Sequence, residues 1–218
     1  DFCLSRGLGD VYKRQMRCYP ICFTNGDTPT PVAVMALEKG RNLFVDALGG
    51  WRRDHHVPSC LSRYPLVALA GHDGKIRLYA DFSSGRLVQI RPGVDEDVDP
   101  IFEESGGLSS FGKSSVIRSQ LAERSLADSA ELGRALAEAG VLTPSKAPGL
   151  GDAGQALRDG LLCVDEGALN ALPAALLAEF ARRGWLEPIV LSIVSRQNWH
   201  ARAQMAQRYN PTGRSRAA

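Results

Sequence analysis

Between Tyr19 and Phe82 the chain reverses direction too often to be helical. YPICFT (19–24) and VAVMALE (32–38) are short apolar runs separated by the turn cluster NGDTPTP, and NLFVD (42–46) comes after only KGR. A connection that short cannot cross over a sheet, so neighbouring runs are expected to pair antiparallel. ALGG then turns the chain toward Trp51. VPSCLSRY (57–64) reads as a short helix with Pro58 in its first turn. PLVALA (65–70) and KIRLYADF (75–82) make a second hairpin around GHDG. Five close-set strands with turn chemistry between them point to an antiparallel sheet.

After Phe82 the pattern changes. Residues 83–114 are rich in Gly, Ser, Asp and Glu and include the acidic stretch VDEDVDP. A long helix is expected over about 115–139, stopped by Gly140 as a C-terminal cap. APGLGDAG (147–154) reads as loop and GLLCV (160–164) as a short strand. PAALLAEFARRG (173–184) is a helix ended by Gly184, with Leu172, Leu176, Leu177, Phe180 and Ala181 in one apolar stripe. A last helix starts near Glu187, and its IVLSIV run (189–194) suits burial. With no internal repeat and no linker, the fold class is α+β: an antiparallel sheet from the N-terminal half packed with C-terminal helices.

Composition narrows the partners. At 218 residues, with 44% hydrophobic and 23% charged content, the chain has the make-up of an ordinary soluble globular protein. A net charge of +2 makes no electrostatic case for nucleic acid. The late arginines, Arg196, Arg202, Arg208, Arg214 and Arg216, read as a solvated helix face running into a flexible tail over 209–218. No apolar run approaches the roughly 20 residues of a membrane span. Five cysteines lack a C-x-x-C pair, and Cys18 and Cys22 are expected as reduced core thiols. No secretory signal is visible, which on its own reads as cytoplasmic.

The opening DFCLSRGLGDVYKRQ is unlike the rest of the chain and resembles translated sequencing-adapter DNA of the kind found in metagenomic fragments. Residues 1–15 are therefore expected to be a non-native leader that adds nothing to the fold, with the true N-terminus missing. Residues 16–208 are expected to form a single domain.

GGLSSFGKSS (106–115) poses the sharpest chemical question. From Gly107 it fits G-x-x-x-x-G-K-[ST], the phosphate-cradling loop, with Gly112, Lys113 and Ser114 at the motif positions and Asp165 of LLCVDE as a magnesium partner. Such a loop must join a buried strand to a helix N-terminus, so that free backbone N–H groups surround the phosphates. Here the preceding EDVDPIFEESG is acidic and proline-broken, and its carboxylates repel a triphosphate. The match reads as a coincidence of loop composition, with a nucleotide-hydrolysing enzyme, or a hydrolase of unseen mechanism, as the alternative.

Other sites are weaker. DHHVPSC offers Asp54, His55, His56 and Cys60, but only His56 and Cys60 have helical spacing, and two ligands fall short of a catalytic metal. Asp165 and Glu166 read most simply as a helix N-cap and first-turn acid. No catalytic residue, metal or cofactor is assigned.

One segment is more specific. PVAVMALEKGRNLFVDALGGWRRDHHVPSCLSRYPLVAL (31–69) combines an apolar strand, G-x-N-L-F-V-D, a glycine turn before Trp51 and V-P-x-x-L-x-R-Y-P. With YPICF upstream and VDEGALNALPAALLAEFARRGWL (164–186) downstream, it resembles the SapC family of bacterial surface-layer-associated proteins over about 19–200. The chain departs from that family's usual pattern at His56, where an aromatic precedes Val-Pro, and at Leu66, where Phe follows Tyr-Pro. The resemblance implies a role at the cell surface, with a protein or surface-layer component as partner. It carries no reaction, cofactor or catalytic residue.

The 42–65 stretch is expected to be central. Alternation along 43–45 should turn one set of side chains inward, Trp51 should fold back over that face, and Val57, Leu61 and Tyr64 should share one side of the next element. Asn42, Asp46, Trp51, Arg53 and Arg63 are then the candidate edge of a binding surface, each with a competing role as a turn-capping or salt-bridging group.

Overall fold

The computed structural model describes residues 17–38, 41–53, 55–58, 61, 63–89, 98–147 and 159–209. The first fifteen residues, Asp54, Cys60 and the residues beyond Tyr209 lie outside that set, as do the expectations that concern them.

Strands β1 (Ile21–Thr24) and β2 (Pro31–Ala33) form the expected hairpin, in the register Ile21 to Ala33 and Phe23 to Pro31. Its loop is closed by Thr24 N donating to Thr30 O (3.0 Å) and Thr30 N to Thr24 Oγ1 (2.9 Å). The run 32–38 does not continue as one strand. Pairing with the chain before β1 continues in register through Val34 N donating to Pro20 O at 2.9 Å, and the run resumes as a separate strand, β3 (Ala36–Glu38), which pairs antiparallel with β4 (Arg41–Asn42).

The expected strand over 42–46 is therefore only its first residue. Asn42 Oδ1 accepts from Phe44 N (2.8 Å), a side-chain turn that outcompetes the ladder. Inward and outward alternation fails with it, because both Leu43 and Phe44 are buried. Strands β5 (Leu66–Ala70) and β6 (Ile76–Ala80) pair over their full length, as their spacing predicts.

These strands fall into three sheets. The largest has the order β2-β1-β8-β7, with β7 at Leu142–Pro144 and β8 at Leu161–Val164, every pair antiparallel. Two of its strands thus come from the C-terminal half. Helix α1 (Ser110–Glu138) starts earlier than 115, because Ser109 caps it by accepting from Gly112 N at 3.1 Å. It ends before Gly140, and α3 (Ala174–Arg182) ends before Gly184; both glycines sit at φ 67, the left-handed conformation of a helix stop. Between them runs the short α2 (Glu166–Asn170). The expected last helix is two: α4 (Leu186–Ser195) and α5 (Asn198–Tyr209).

Small residues set how closely these layers approach. Helix α1 buries Ser115, Ser119, Ser125 and Ser129. Ser119 Oγ accepts the backbone N–H of Ala68 at 2.9 Å, tying α1 to the edge of the β5–β6 hairpin. At Gly133 an added Cβ would land on the carbonyl of Pro29. Helix α4 likewise buries Ile189, Ser192 and Ser195 while Val190 and Val194 face outward, so the IVLSIV run is only partly buried. Ser195 Oγ takes the N–H of Ile21 in β1 at 2.8 Å.

Two apolar clusters result. One gathers Tyr19, Ile21, Cys22, Leu37, Phe44 and Trp199 from β1 and the residues before it, β3, the turn after β4 and α5. The other gathers Phe23, Leu136, Val141, Phe180, Trp185 and Ile189 from β1, the helices α1, α3 and α4 and the turns that follow α1 and α3. The α+β class expected from sequence is the class observed. Among the described residues no helix is long and apolar enough to cross a membrane.

Candidate functional site

The 44–52 segment is a tight loop built around one carboxylate. Asp46 Oδ1 accepts from Leu48 N (2.9 Å) and Gly50 N (2.8 Å), and Asp46 N donates to Gly50 O (2.9 Å). Gly49 adopts φ 81 at the apex, where a side chain is strained. The loop closes in a bridge between Val45 and Trp51 and in Arg52 N donating to Phe44 O at 2.8 Å. Asn42 and Asp46 are thus turn-forming groups, the competing role the sequence allowed them.

What the loop holds in place is Phe44, fully buried and surrounded by rings. Tyr19 meets it edge-on at 4.7 Å, His55 edge-on at 5.1 Å, and Trp51 stacks at 5.9 Å with an interplanar angle of 14°. Trp51 does fold back over the aromatic core, half-buried, but its indole Nε1 is enclosed without a hydrogen-bond partner among the described residues. The Tyr19 hydroxyl donates to the carbonyl of His56.

Three arginines follow along the same stretch of chain. Arg52 Nε donates to Leu43 O at 3.0 Å, and its guanidinium lies 3.7 Å from the centre of the Tyr209 ring. Arg53 is exposed, and Arg63 is half-buried with an enclosed Nε that has no partner among the described residues. Neither shows an ion pair with a carboxylate among the described residues. The inward face expected for Val57, Leu61 and Tyr64 is also absent, since all three are exposed. A turn in which Leu61 N donates to Pro58 O (2.9 Å), and a Tyr64 hydroxyl bonded to Asp81 Oδ2 (2.7 Å), carry these residues outward, with Tyr64–Pro65 cis.

The phosphate-loop positions lie elsewhere and each has a local task. Phe102 and Leu108 bridge across a turn in which Glu103 N donates to Gly107 O (2.7 Å), so a turn and not a strand runs into Gly107. Gly112 packs where a Cβ would strike the carbonyl of Ile101. Lys113 pairs with Glu103 at 3.5 Å and Ser114 is exposed. Asp165 caps α2 by accepting from Ala168 N at 2.9 Å. The strand-to-helix cradle that a phosphate loop requires is not formed by these residues.

Among the described residues no group of three or more His, Cys, Asp and Glu is placed to hold a metal ion. Cys18, Cys22 and Cys163 are free thiols, and burial pushes Cys22 up to about 12. Sequence reasoning missed Arg202 on α5, which it placed on a solvated face. Arg202 is buried, with its guanidinium 4.6 Å from the centre of the Phe44 ring. Its only readable signal is its position four residues after Asn198, which begins α5, on the side carrying Trp199 and Ala203.

No curated protein and no solved structure matches the chain. The SapC family model matches residues 12–201, which among the described residues takes in every strand, the Phe44 loop and most of the helices. That span is most of the 218 residues, and the chain belongs to the SapC family.

Proposed function

We propose that the chain acts by binding, taking a protein or surface-layer component on the 42–63 segment through Trp51, Arg53 and Arg63, with Asn42 and Asp46 shaping the loop beneath them. The observation that supports this is the state of the three contact groups. Two guanidinium groups and an indole N–H stand on one aromatic-backed segment without a carboxylate partner among the described residues. Arg53 is exposed, so acceptors on a partner can reach its guanidinium, and it stands on the same segment as Trp51 and Arg63, whose enclosed Nε1 and Nε lack acceptors among the described residues. The chemistry fits an acidic partner surface. Family membership is consistent with placing that partner in the bacterial surface layer.

The test uses the full chain as bait against a bacterial envelope extract, with bound proteins identified by mass spectrometry. A surface-layer protein should be retained by the wild type and lost with Arg53→Glu. Retention that survives both Arg53→Glu and Trp51→Ala would place the contact elsewhere on the molecule.

A further inference from the structure

Arg202 is a charged side chain buried against the Phe44 ring. It is 6% exposed and carries five N–H donors. Among the described residues it meets no carboxylate. Its Nη1 reaches only the thioether of Met205 (2.8 Å), a weak acceptor, its Nε has no partner in that set, and its carbon lies over the Phe44 face. Burial lowers its proton affinity, with the nearby Cys18 and Tyr19 acting weakly the other way. Buried guanidinium groups are ordinarily paired with an oxyanion, because desolvating the charge alone is expensive. The surroundings extend the same deficit. Trp51, stacked on Phe44, has an enclosed N–H without an acceptor among the described residues. Along α5, Arg202, Met205 and Tyr209 lie at i, i+3 and i+7 on one face, and the Tyr209 ring carries the guanidinium groups of Arg52 (3.7 Å) and Arg208 (5.9 Å). Positive charge therefore runs from the exposed end of α5 to the buried arginine.

We propose that Arg202 is the receiving group of a ligand site for a carboxylate borne on an apolar or aromatic body. The planar fork of a guanidinium matches the two oxygens of a carboxylate. The charge count selects the anion: one buried guanidinium neutralises one carboxylate, whereas a phosphate dianion would leave a net charge among Phe44, Trp51 and Met205. The same aromatic and thioether groups suit an apolar body. The site shares Phe44 and Trp51 with the 42–63 segment, but its receiving group lies on α5, so Arg202→Met and Arg53→Glu test the two readings apart.

Thermal unfolding of the full chain is followed with benzoate, acetate, phosphate and chloride at equal ionic strength. Benzoate should raise Tm by several degrees, saturably and more than acetate, with no comparable shift from phosphate or chloride. Arg202→Met should abolish the benzoate shift while leaving Tm without ligand equal to or above that of the wild type, since it removes an unpaired buried charge. Arg202→Lys should weaken the shift. Should Arg202→Met fail to fold, the Arg202 Nε proton resonance of the wild type, assigned through Arg202→Lys, should move on benzoate addition. The proposal is overturned by a benzoate shift of equal size in Arg202→Met, by an unmoved Nε resonance, or by a phosphate response that matches or exceeds that of benzoate.

Discussion

The Phe44 cluster and the Phe180 cluster use similar apolar material and finish it differently. Around Phe180, Trp185 packs at 5.8 Å and is covered by Arg183, whose guanidinium also reaches Glu131 (3.5 Å) and Glu179 (3.2 Å). Charge there is exposed, paired and peripheral, which is what a purely structural core requires. Around Phe44 the arginine is inside, stacked on a ring without a counter-charge among the described residues, and an indole N–H beside it lacks an acceptor there. Both clusters hold the fold together, and around Phe44 the described residues leave the Trp51 indole N–H and Arg202 Nε without acceptors.

The largest expected effects test the shared half of that comparison. Phe44→Ala and Phe180→Ala should each lower stability by about 3–5 kcal/mol in urea unfolding, since both rings are fully buried. A much smaller loss at Phe44 would mean that its cluster is loosely packed and that the unpaired donors reflect poor order. Trp51→Ala should cost about 2 kcal/mol, less than either phenylalanine because the indole is half-buried. An unchanged unfolding curve there would make Trp51 a pure surface contact.

Smaller effects sharpen the contrast. Gly133→Ala should cost about 1–3 kcal/mol through collision with Pro29, whereas Gly26→Ala, which meets nothing within 4 Å, should be close to neutral. Alkaline weakness should reside with the buried thiols, Cys22 of the Phe44 cluster above all, with Cys163 also raised by burial. The Cys22 thiol is held from 9.0 up to about 12, chiefly by burial, so between those values the unfolded chain has released a proton that the folded chain retains. Stability should then fall as pH rises above about 9, and Cys22→Ala should flatten that slope. An identical slope in the variant would trace the loss to another group. Smallest of all, Lys113→Ala should change stability by less than about 1 kcal/mol, because its ion pair with Glu103 is exposed. Micromolar ATP binding lost with Lys113→Ala would revive the phosphate-loop reading.

Hairpins were legible because turn chemistry and short connections are local: β1–β2 and β5–β6 stand where NGDTPTP and GHDG placed them. Glycine stops were legible for the same reason at Gly140 and Gly184. Strand β7 was not, because a three-residue strand ending in Pro144 carries no periodic signal. The serine face of α1 escaped as well, since hydrophobic periodicity does not register a helix that buries Ser119 and Gly133 to bring backbones close. The loop-building Asn42 and Asp46 and the ring of Trp51 were legible through their motif. Arg202 was not, for its burial depends on a ring more than 150 positions away in sequence.

Strand β1 contributes Ile21 and Cys22 to one cluster and Phe23 to the other, and it is bonded along both edges, to β2 and to β8. It is a party wall. Opening either side leaves the strand clamped by the other, so its amides are expected to be the last to exchange with solvent and to do so only with global opening. Four residues then couple two unlike neighbourhoods into one cooperative transition, and a ligand that tightens the Phe44 side would slow exchange in β8, a strand whose Val164 packs in the opposite cluster.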